Sequence, residues 1–262
     1  MGTISNALSL LNYFSEARSE IGLADFKKLS GRDKATTYRY LSELVEFGLL
    51  EQDRLSRNYR LGPAVLRLAN VRESVFPMRE SIQIITDRLS EATGETAHVS
   101  LLQGMSLSTL AKRESPKHAA RVSFSESQII PLHATASGLC VLAFSDKTML
   151  ERAIRSSLTR YTAFTHADGE TLRHAVERAA ETGFGISDQG YEEEVYGIAV
   201  PFFNEHQAPI GTAAIACPTS RISSDLLALI KRELVAAGCA ITETRGGSIP
   251  ERLKEAWASG GF

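Results

Sequence analysis

Apolar positions in the first fifty residues recur at helical spacing. Ala7, Leu10, Leu11 and Phe14 share one helical face, which predicts a helix over residues 5–17. Leu23, Phe26 and Leu29 predict a short second helix over 23–29. Ser30-Gly31-Arg32-Asp33 reads as a turn, with Asp33 as the N-cap of a third helix over 34–47 that Gly48 stops. Residues 49–51 and 58–61 then read as two short strands, with 52–57 as a hairpin tip. Pro63 opens a helix over 64–74, Pro77 interrupts it, and another helix covers 79–92. After Gly94 the texture changes. Strands are predicted over 96–102 and 107–112, and helices over 132–144 and 169–182. A strand pair over 195–203 and 209–217 follows, then an amphipathic helix over 223–244. The tail, 246–262, has glycines at both ends and reads as peripheral.

The third helix carries the first functional signal. Wound at about 100° per residue, Thr37, Leu41, Leu44, Val45 and Gly48 share a core-facing side. Thr36, Arg39 and Glu43 face away from it. Ala35, Tyr40, Ser42 and Glu46 lie at the margins, and Lys34 sits in the exposed first turn. Such a helix can enter a DNA major groove: small Ala35 permits close approach, Thr36 can meet a phosphate or a thymine methyl, and Arg39 can fork onto a phosphate or guanine. The hairpin adds Arg54, Arg57, Asn58 and Arg60, placed to lie along the phosphate backbone or reach a minor groove. Helix, helix, turn, helix and basic hairpin together make a winged helix-turn-helix. The candidate DNA contacts are therefore Lys34, Ala35, Thr36, Arg39, Tyr40, Arg54, Arg57, Asn58 and Arg60. Winged helices also serve as protein-interaction modules, and the pattern alone leaves that reading open, together with that of an ordinary solvated helix.

Charge sharpens this picture. The 262 residues hold 29 Lys+Arg and 31 Asp+Glu, a net charge of -2 that argues against nucleic acid if spread evenly. It is not spread evenly. Residues 31–72 carry eight basic and five acidic side chains, +3, which leaves -5 for the rest. So modest a patch predicts weak binding by one protomer and stable binding by paired protomers. Cys140, Cys217 and Cys239 are odd in number and widely spaced, which excludes a disulfide framework and predicts buried thiols in a reducing cytoplasm. No apolar run is long enough for a membrane span, and the N-terminus lacks a signal-peptide pattern.

Short motifs extend the reading over most of the chain. Ala7 to Leu11, Lys34 to Leu41, Leu44 to Glu51 and Tyr59 to Gly62 resemble the DNA-binding domain of IclR-family bacterial transcriptional regulators. Glu95 to Leu101 is similar to the first strand of that family's effector domain. Pro131-Leu132-His133-Ala134-Thr135-Ala136-Ser137-Gly138 resembles its "LHATA-x-G" helix start. Ile198 to Pro201 and Pro218 to Ile222 resemble its later strand and turn. The resemblance covers residues 4–245 in order. It implies an α/β chain overall: a winged helix-turn-helix over 1–72, a linker helix region over 73–92, a GAF-like α/β effector-binding domain over 93–245, and a tail over 246–262. It also implies homodimers or homotetramers that bind double-stranded operator DNA, with a small-molecule effector setting the response.

Carried onto this chain, the family's effector cleft falls at Ala136 and Ser137, Asp188, Gly197 and Ile198, and Ala214 and Ala216, with His133 as a further wall candidate. A helix N-terminus at Ala136 and Ser137 would seat a carboxylate. The chain departs from the family pattern in three places. Leu139 stands for the usual lysine, Gly197 for a frequent cysteine, and Ala214 and Ala216 for serines of some members. These changes predict a roomier, more apolar pocket, suited to a larger or aromatic acid or an ester-like catabolite. Neutral drift in a packed strand is the alternative.

No phosphate loop, GxSxG elbow, HExxH or paired Cys/His set is present, so catalytic residues, metal ligands and cofactors are not expected. His133 has no partnered nucleophile, and Glu192-Glu193-Glu194 has no His or Cys at ligand spacing. Arg113 is a possible effector counter-ion or a surface residue. The leading reading is an effector-responsive repressor of a catabolic operon. The rivals are a DNA-binding protein whose C-terminal domain only oligomerises and a small-molecule enzyme built on the C-terminal domain.

Overall fold

The computed structural model describes residues 2–75 and 77–259. Position 1 of the expected first domain, position 76 of the expected linker and positions 260–262 of the expected tail lie outside the described residues. The chain divides into two compact units, one ending at Met78 and the other beginning at Arg79.

In the first unit, helix α1 (Thr3–Leu8) tightens into a 3-10 turn, Ser9–Tyr13. It is followed by α2 (Leu23–Ser30) and α3 (Lys34–Glu46). Strands β1 (Leu50–Gln52) and β2 (Tyr59–Leu61) pair antiparallel, and α4 (Pro63–Val75) closes the unit. The helix expected over 5–17 stops early. The chain reverses at Ser15 and Arg18 so that Ile21 can exchange two backbone hydrogen bonds with Tyr59, each 2.9 Å. Around that bridge Phe26 packs edge-on against Tyr13, Phe14 and Tyr59. Each such pair contributes about 0.5–1.5 kcal/mol beyond area burial.

The second unit opens with α5 (Arg79–Thr93), β3 (Thr96–Gln103) and β4 (Ser106–Arg113). Next come β5 (Ile129–Pro131), α6 (Ala136–Phe144), α7 (Lys147–Arg155) and α8 (Gly169–Thr182). It closes with β6 (Gly185–Asp188), β7 (Val195–Phe203), β8 (Pro209–Pro218), α9 (Ser224–Thr244) and α10 (Glu251–Ser259). The strands form one antiparallel sheet in the order β5-β4-β3-β8-β7-β6. Helices α5 and α9 pack on the strands β3, β4, β7 and β8, while α6, backed by α8, packs on β6, β7 and β8. Strand alternation sorts the two layers: Val200 meets α9 at Gly238, whereas Gly197 meets α6 at Ala136.

Residues 73–92, read as a linker from sequence, comprise the end of α4 and most of α5. Helix α5 is tied to β4, with Arg79 Nη1 donating to the Leu110 carbonyl at 3.2 Å and Gln83 Nε2 to that of Lys112 at 3.3 Å. Four elements escaped the sequence reading: α7, β5, β6 and α10. The tail is not peripheral as expected. In α10 Leu253 and Trp257 are buried, and Trp257 Nε1 donates to the Gly183 carbonyl at 3.0 Å. Helix α6 starts at Ala136 rather than at residue 132, because Thr135 caps it.

Candidate functional site

The first unit presents the start of α3 and the β1–β2 hairpin. Asp33 accepts from the Thr36 amide at 2.9 Å and caps α3. Those hydrogen bonds hold its carboxyl below the usual range. Lys34, Ala35 and Arg39 are exposed, and Thr36 is half-exposed. Tyr40 does not join them. It is only 6% exposed and packs inward, with the Arg39 guanidinium 5.5 Å from its ring centre. The buried set Thr37, Tyr40, Leu41 and Leu44 centres the core side about 50° away from Leu41. That rotation takes Tyr40 inside and leaves Tyr38, 51% exposed, on the outer flank. Sequence reasoning missed Tyr38 because it centred the core on one leucine.

The hairpin tip is ordered by Asp53. Its carboxylate accepts from the Ser56 amide at 2.7 Å, the Leu55 amide at 3.0 Å and the Ser56 hydroxyl at 3.0 Å, and its pKa is lowered accordingly. The one acid of the tip is thereby engaged by the tip itself. Arg54 and Arg57 stand exposed, with Arg57 in the left-handed region at φ 61°. Asn58 is half-exposed; its backbone amide donates to Ser56 Oγ at 3.2 Å and its carbonyl accepts from the Asp53 amide at 2.9 Å. Arg60 is exposed but engaged, since its Nε lies 2.5 Å from Glu51, the residue opposite it on β1.

The second unit holds a cavity of about 90 Å³ between the sheet and the start of α6. Ala136, Ser137, Gly197, Ala214 and Ala216 line it. His98, Val122, Phe124, Gln128, Ile130, Thr135, Ser187, Tyr191, Glu192, Val195 and Ile215 complete the wall. Thr135 Oγ1 accepts from the Gly138 amide at 3.0 Å, fixing the helix start beside the cavity. Gly138 permits the approach below it, because a Cβ there would come within 2.2 Å of the Leu132 carbonyl oxygen.

These two assemblies, a winged helix-turn-helix and an antiparallel sheet cradling a cavity at a helix start, coincide with known domains. Residues 3–54 match the IclR helix-turn-helix domain, and residues 73–243 match the C-terminal domain of bacterial transcriptional regulators of the IclR type. The chain belongs to the IclR family. Its likeness to other IclR proteins runs nearly end to end. A crystal structure of an IclR transcriptional regulator from Silicibacter sp. TM1040 is 43% identical, covers 96% of this chain and 99% of its own, and has a TM-score of 0.87. The HTH-type transcriptional regulator XynR of Escherichia coli (strain K12) is 27% identical over 93% of this chain and 97% of its own length. An IclR homologue from Microbacterium hydrocarbonoxydans, complexed with 4-hydroxybenzoate, shares the fold at 21% identity and a TM-score of 0.68, over 94% of this chain and 100% of its own. IclR-family proteins of this kind are transcriptional regulators rather than enzymes.

Within this IclR chain, three expected cavity residues lie elsewhere. Ser187 faces the cavity opposite Gly197, so by alternation Asp188 turns out to solvent. Ile198, next to Gly197, turns into the core for the same reason. The His133 ring donates from Nε2 to the Thr159 carbonyl at 2.9 Å and stacks on Tyr161. Leu139 also sits in the core, among Leu107, Leu142 and Leu172, so that departure does not enlarge the cavity. Arg113 is half-exposed, 3.9 Å from Asp87. Of the acidic run, Glu192 alone lines the cavity, and no metal-holding group of three or more His, Cys, Asp or Glu occurs among the described residues.

His98 is the residue that the sequence reading missed most clearly. Burial pushes its pKa down to about 4, with the positive charge of Lys112 adding to the effect, so the imidazole is neutral. Lys112 stands opposite His98 on β4 but turns its ammonium to the Phe124 carbonyl and to Glu114. Glu114, bound by Ser123, Arg121 and Lys112, is held down at about 2. The buried thiols of Cys140 and Cys217 are pushed up to about 12 and stay protonated. No helix among the described residues is long and apolar enough to cross a membrane.

Proposed function

We propose that the protein is an effector-responsive repressor of a catabolic operon. It binds double-stranded operator DNA as a homodimer or homotetramer and responds to an organic acid or aromatic catabolite held in the cavity. The observation that carries this reading is the pairing of two features in one chain. One is an exposed cationic helix start and wing, formed by Lys34, Arg39, Arg54 and Arg57. The other is a partly open, mostly apolar cavity at the N-terminus of α6. The first suits phosphates and base edges, and the second suits a small anion with an apolar body. Lys34, Ala35, Thr36, Arg39, Arg54, Arg57 and Asn58 are the proposed DNA contacts, with Arg60 reaching phosphate only by leaving Glu51. Support comes from the 4-hydroxybenzoate complex of the Microbacterium homologue. The Pca regulon regulatory protein of Pseudomonas putida, 25% identical over 85% of this chain, adds to it.

Fluorescence anisotropy on DNA upstream of the protein's own gene and its neighbours tests the proposal. Arg39→Ala and Arg57→Ala should weaken binding and flatten its log-log salt dependence by about one unit per lost phosphate contact. Unchanged affinity and slope in both variants would overturn the assigned DNA face. Calorimetry across an acid series tests the cavity. Tighter binding of glyoxylate or pyruvate than of every larger acid would overturn the apolar-effector reading.

A further inference from the structure

The most exposed large apolar side chain among the described residues stands at the hairpin tip: Leu55, 94% exposed. A lone exposed leucine is ordinary on a protein surface. This one is held out by a braced scaffold. The Asp53 amide donates to the Asn58 carbonyl at 2.9 Å, and the Arg57 amide to the Asp53 carbonyl at 3.1 Å, which closes the tip into one tight turn. The Asp53 carboxylate takes the amides of Leu55 and Ser56, and Gln52 Nε2 donates to the Arg57 carbonyl at 2.8 Å. Arg57 holds φ at 61°, a region that costs a residue with a Cβ and persists where the surroundings enforce it. The backbone of the tip is thus fixed by its own bonds. Its three long side chains, Arg54, Leu55 and Arg57, are all exposed. No acidic side chain among the described residues forms an ion pair with either arginine.

An apolar side chain between two cations suits a minor groove better than a row of phosphates. Phosphates offer charge alone, and a leucine laid along them stays in water. The minor groove is too narrow for a helix but admits a turn. Where it is rich in A·T pairs it narrows, its negative potential deepens and it attracts arginine. Its floor there carries only acceptors, whereas each G·C pair adds a 2-amino donor that opposes an arginine and obstructs a methyl group. Leucine is among the side chains that enter such grooves. The tip is also on the right side of the first unit. The hydroxyl of buried Tyr59, at the start of β2, feels both Tyr38 on the outer flank of α3 and Arg57 at the tip. With α3 in a major groove, the tip meets the minor groove that adjoins it.

We propose that Leu55 is a specificity-determining residue of the DNA interface. The tip enters the minor groove of an A·T-rich segment beside the pairs met by α3, with Arg54 and Arg57 on its acceptor edges and Leu55 against its floor. This rests on the DNA-binding reading above and adds a preference for base composition that phosphate contacts cannot supply.

Selection of bound duplexes from a random pool by the full-length protein, followed by fluorescence anisotropy on the selected site, tests it. An A·T-rich segment should flank each half-site. Replacing its pairs with G·C should weaken binding about tenfold or more. Replacing them with inosine·C, which has the major-groove edge of G·C but no 2-amino group, should keep affinity within about threefold of A·T. Leu55→Ala, at so exposed a position, keeps the fold. It should weaken binding about tenfold and narrow the preference for A·T over G·C. Its salt dependence should stay unchanged, because leucine releases no counterion, whereas Arg57→Ala should flatten it. Equal binding of the A·T and G·C segments, inosine·C binding as poorly as G·C, or unchanged affinity and preference in Leu55→Ala would overturn the minor-groove role and leave the DNA interface standing. A pool from which the folded protein retains no duplex would overturn the DNA-binding reading itself, and this proposal with it.

Discussion

Arg221→Ala should destabilise the second unit more than an ordinary surface substitution. Arg221 grips Glu95 with two hydrogen bonds, Nε to Oε1 at 2.7 Å and Nη2 to Oε2 at 2.6 Å, and its Nη1 donates to the Ala120 carbonyl at 2.7 Å. Glu95 is 1% exposed, so the substitution strands a carboxylate away from water. Removing one partner of a buried pair costs about 3–5 kcal/mol. The Arg221 side chain is 23% exposed, so water reaches part of the pair and the lower end, about 3 kcal/mol, applies. For a unit of this size each kcal/mol moves Tm by about 2–4 °C, which gives a fall of roughly 6–12 °C. Circular dichroism melts of the intact chain measure it. Arg221→Lys, which keeps the charge but not the two-pronged grip, should fall in between. A loss below about 2 °C for Arg221→Ala would refute the reasoning and place this pair among the weak surface bridges.

Tyr40→Ala should cost about 3 kcal/mol through an emptied core site, while Tyr38→Ala should leave stability within about 0.5 kcal/mol, as read by denaturant melts; equal effects would reverse the assigned faces of α3. Trp257→Ala removes a buried indole and its hydrogen bond to Gly183 and should lower the Tm of the chain by several degrees; no change would return α10 to a peripheral role. Acid should destabilise the folded chain through His98. Neutral in the fold down to pH about 4 and protonated near pH 6.5 when unfolded, it contributes stability that is full above pH 6.5 and lost as pH falls towards 4. Glu114 acts lower, its contribution present above pH 4.5 and lost towards pH 2. His98→Leu should flatten the loss between pH 6.5 and 4 by up to about 3 kcal/mol, and superimposable stability curves would show that His98 titrates normally.

What could be read in the sequence was local and periodic. Helix α8 was legible to the residue because Asp168 caps it, with amide bonds of 3.0 and 2.9 Å, and Gly183 ends it at φ 78°. The basic hairpin was legible because its strands flank an obvious turn. Strand β6 was not, since four residues carry too little pattern to stand out; helix α7 was overlooked although Asp146 caps it and Met149, Leu150, Ala153 and Ile154 share its inner face. The cavity was half legible. Ala136, Ser137, Gly197, Ala214 and Ala216 follow from motif positions, but a motif names neighbours along the chain and not the face on which they stand.

The amino-acid order by itself determined the winged helix-turn-helix, the α/β domain behind it and the uneven charge that favours DNA, because these depend on residues close together in the chain. Only the tertiary structure decided which side of each element is used. A rotation of about 50° put Tyr40 inside and Tyr38 outside. The two-residue alternation of β6 and β7 chose Ser187 over Asp188 and Gly197 over Ile198. Register across three strands set His98 beside Ala214 and near the start of α6, more than thirty residues further along the chain. Such pairings depend on how the strands are ordered and how the layers pack, and neither is written in any local stretch of sequence.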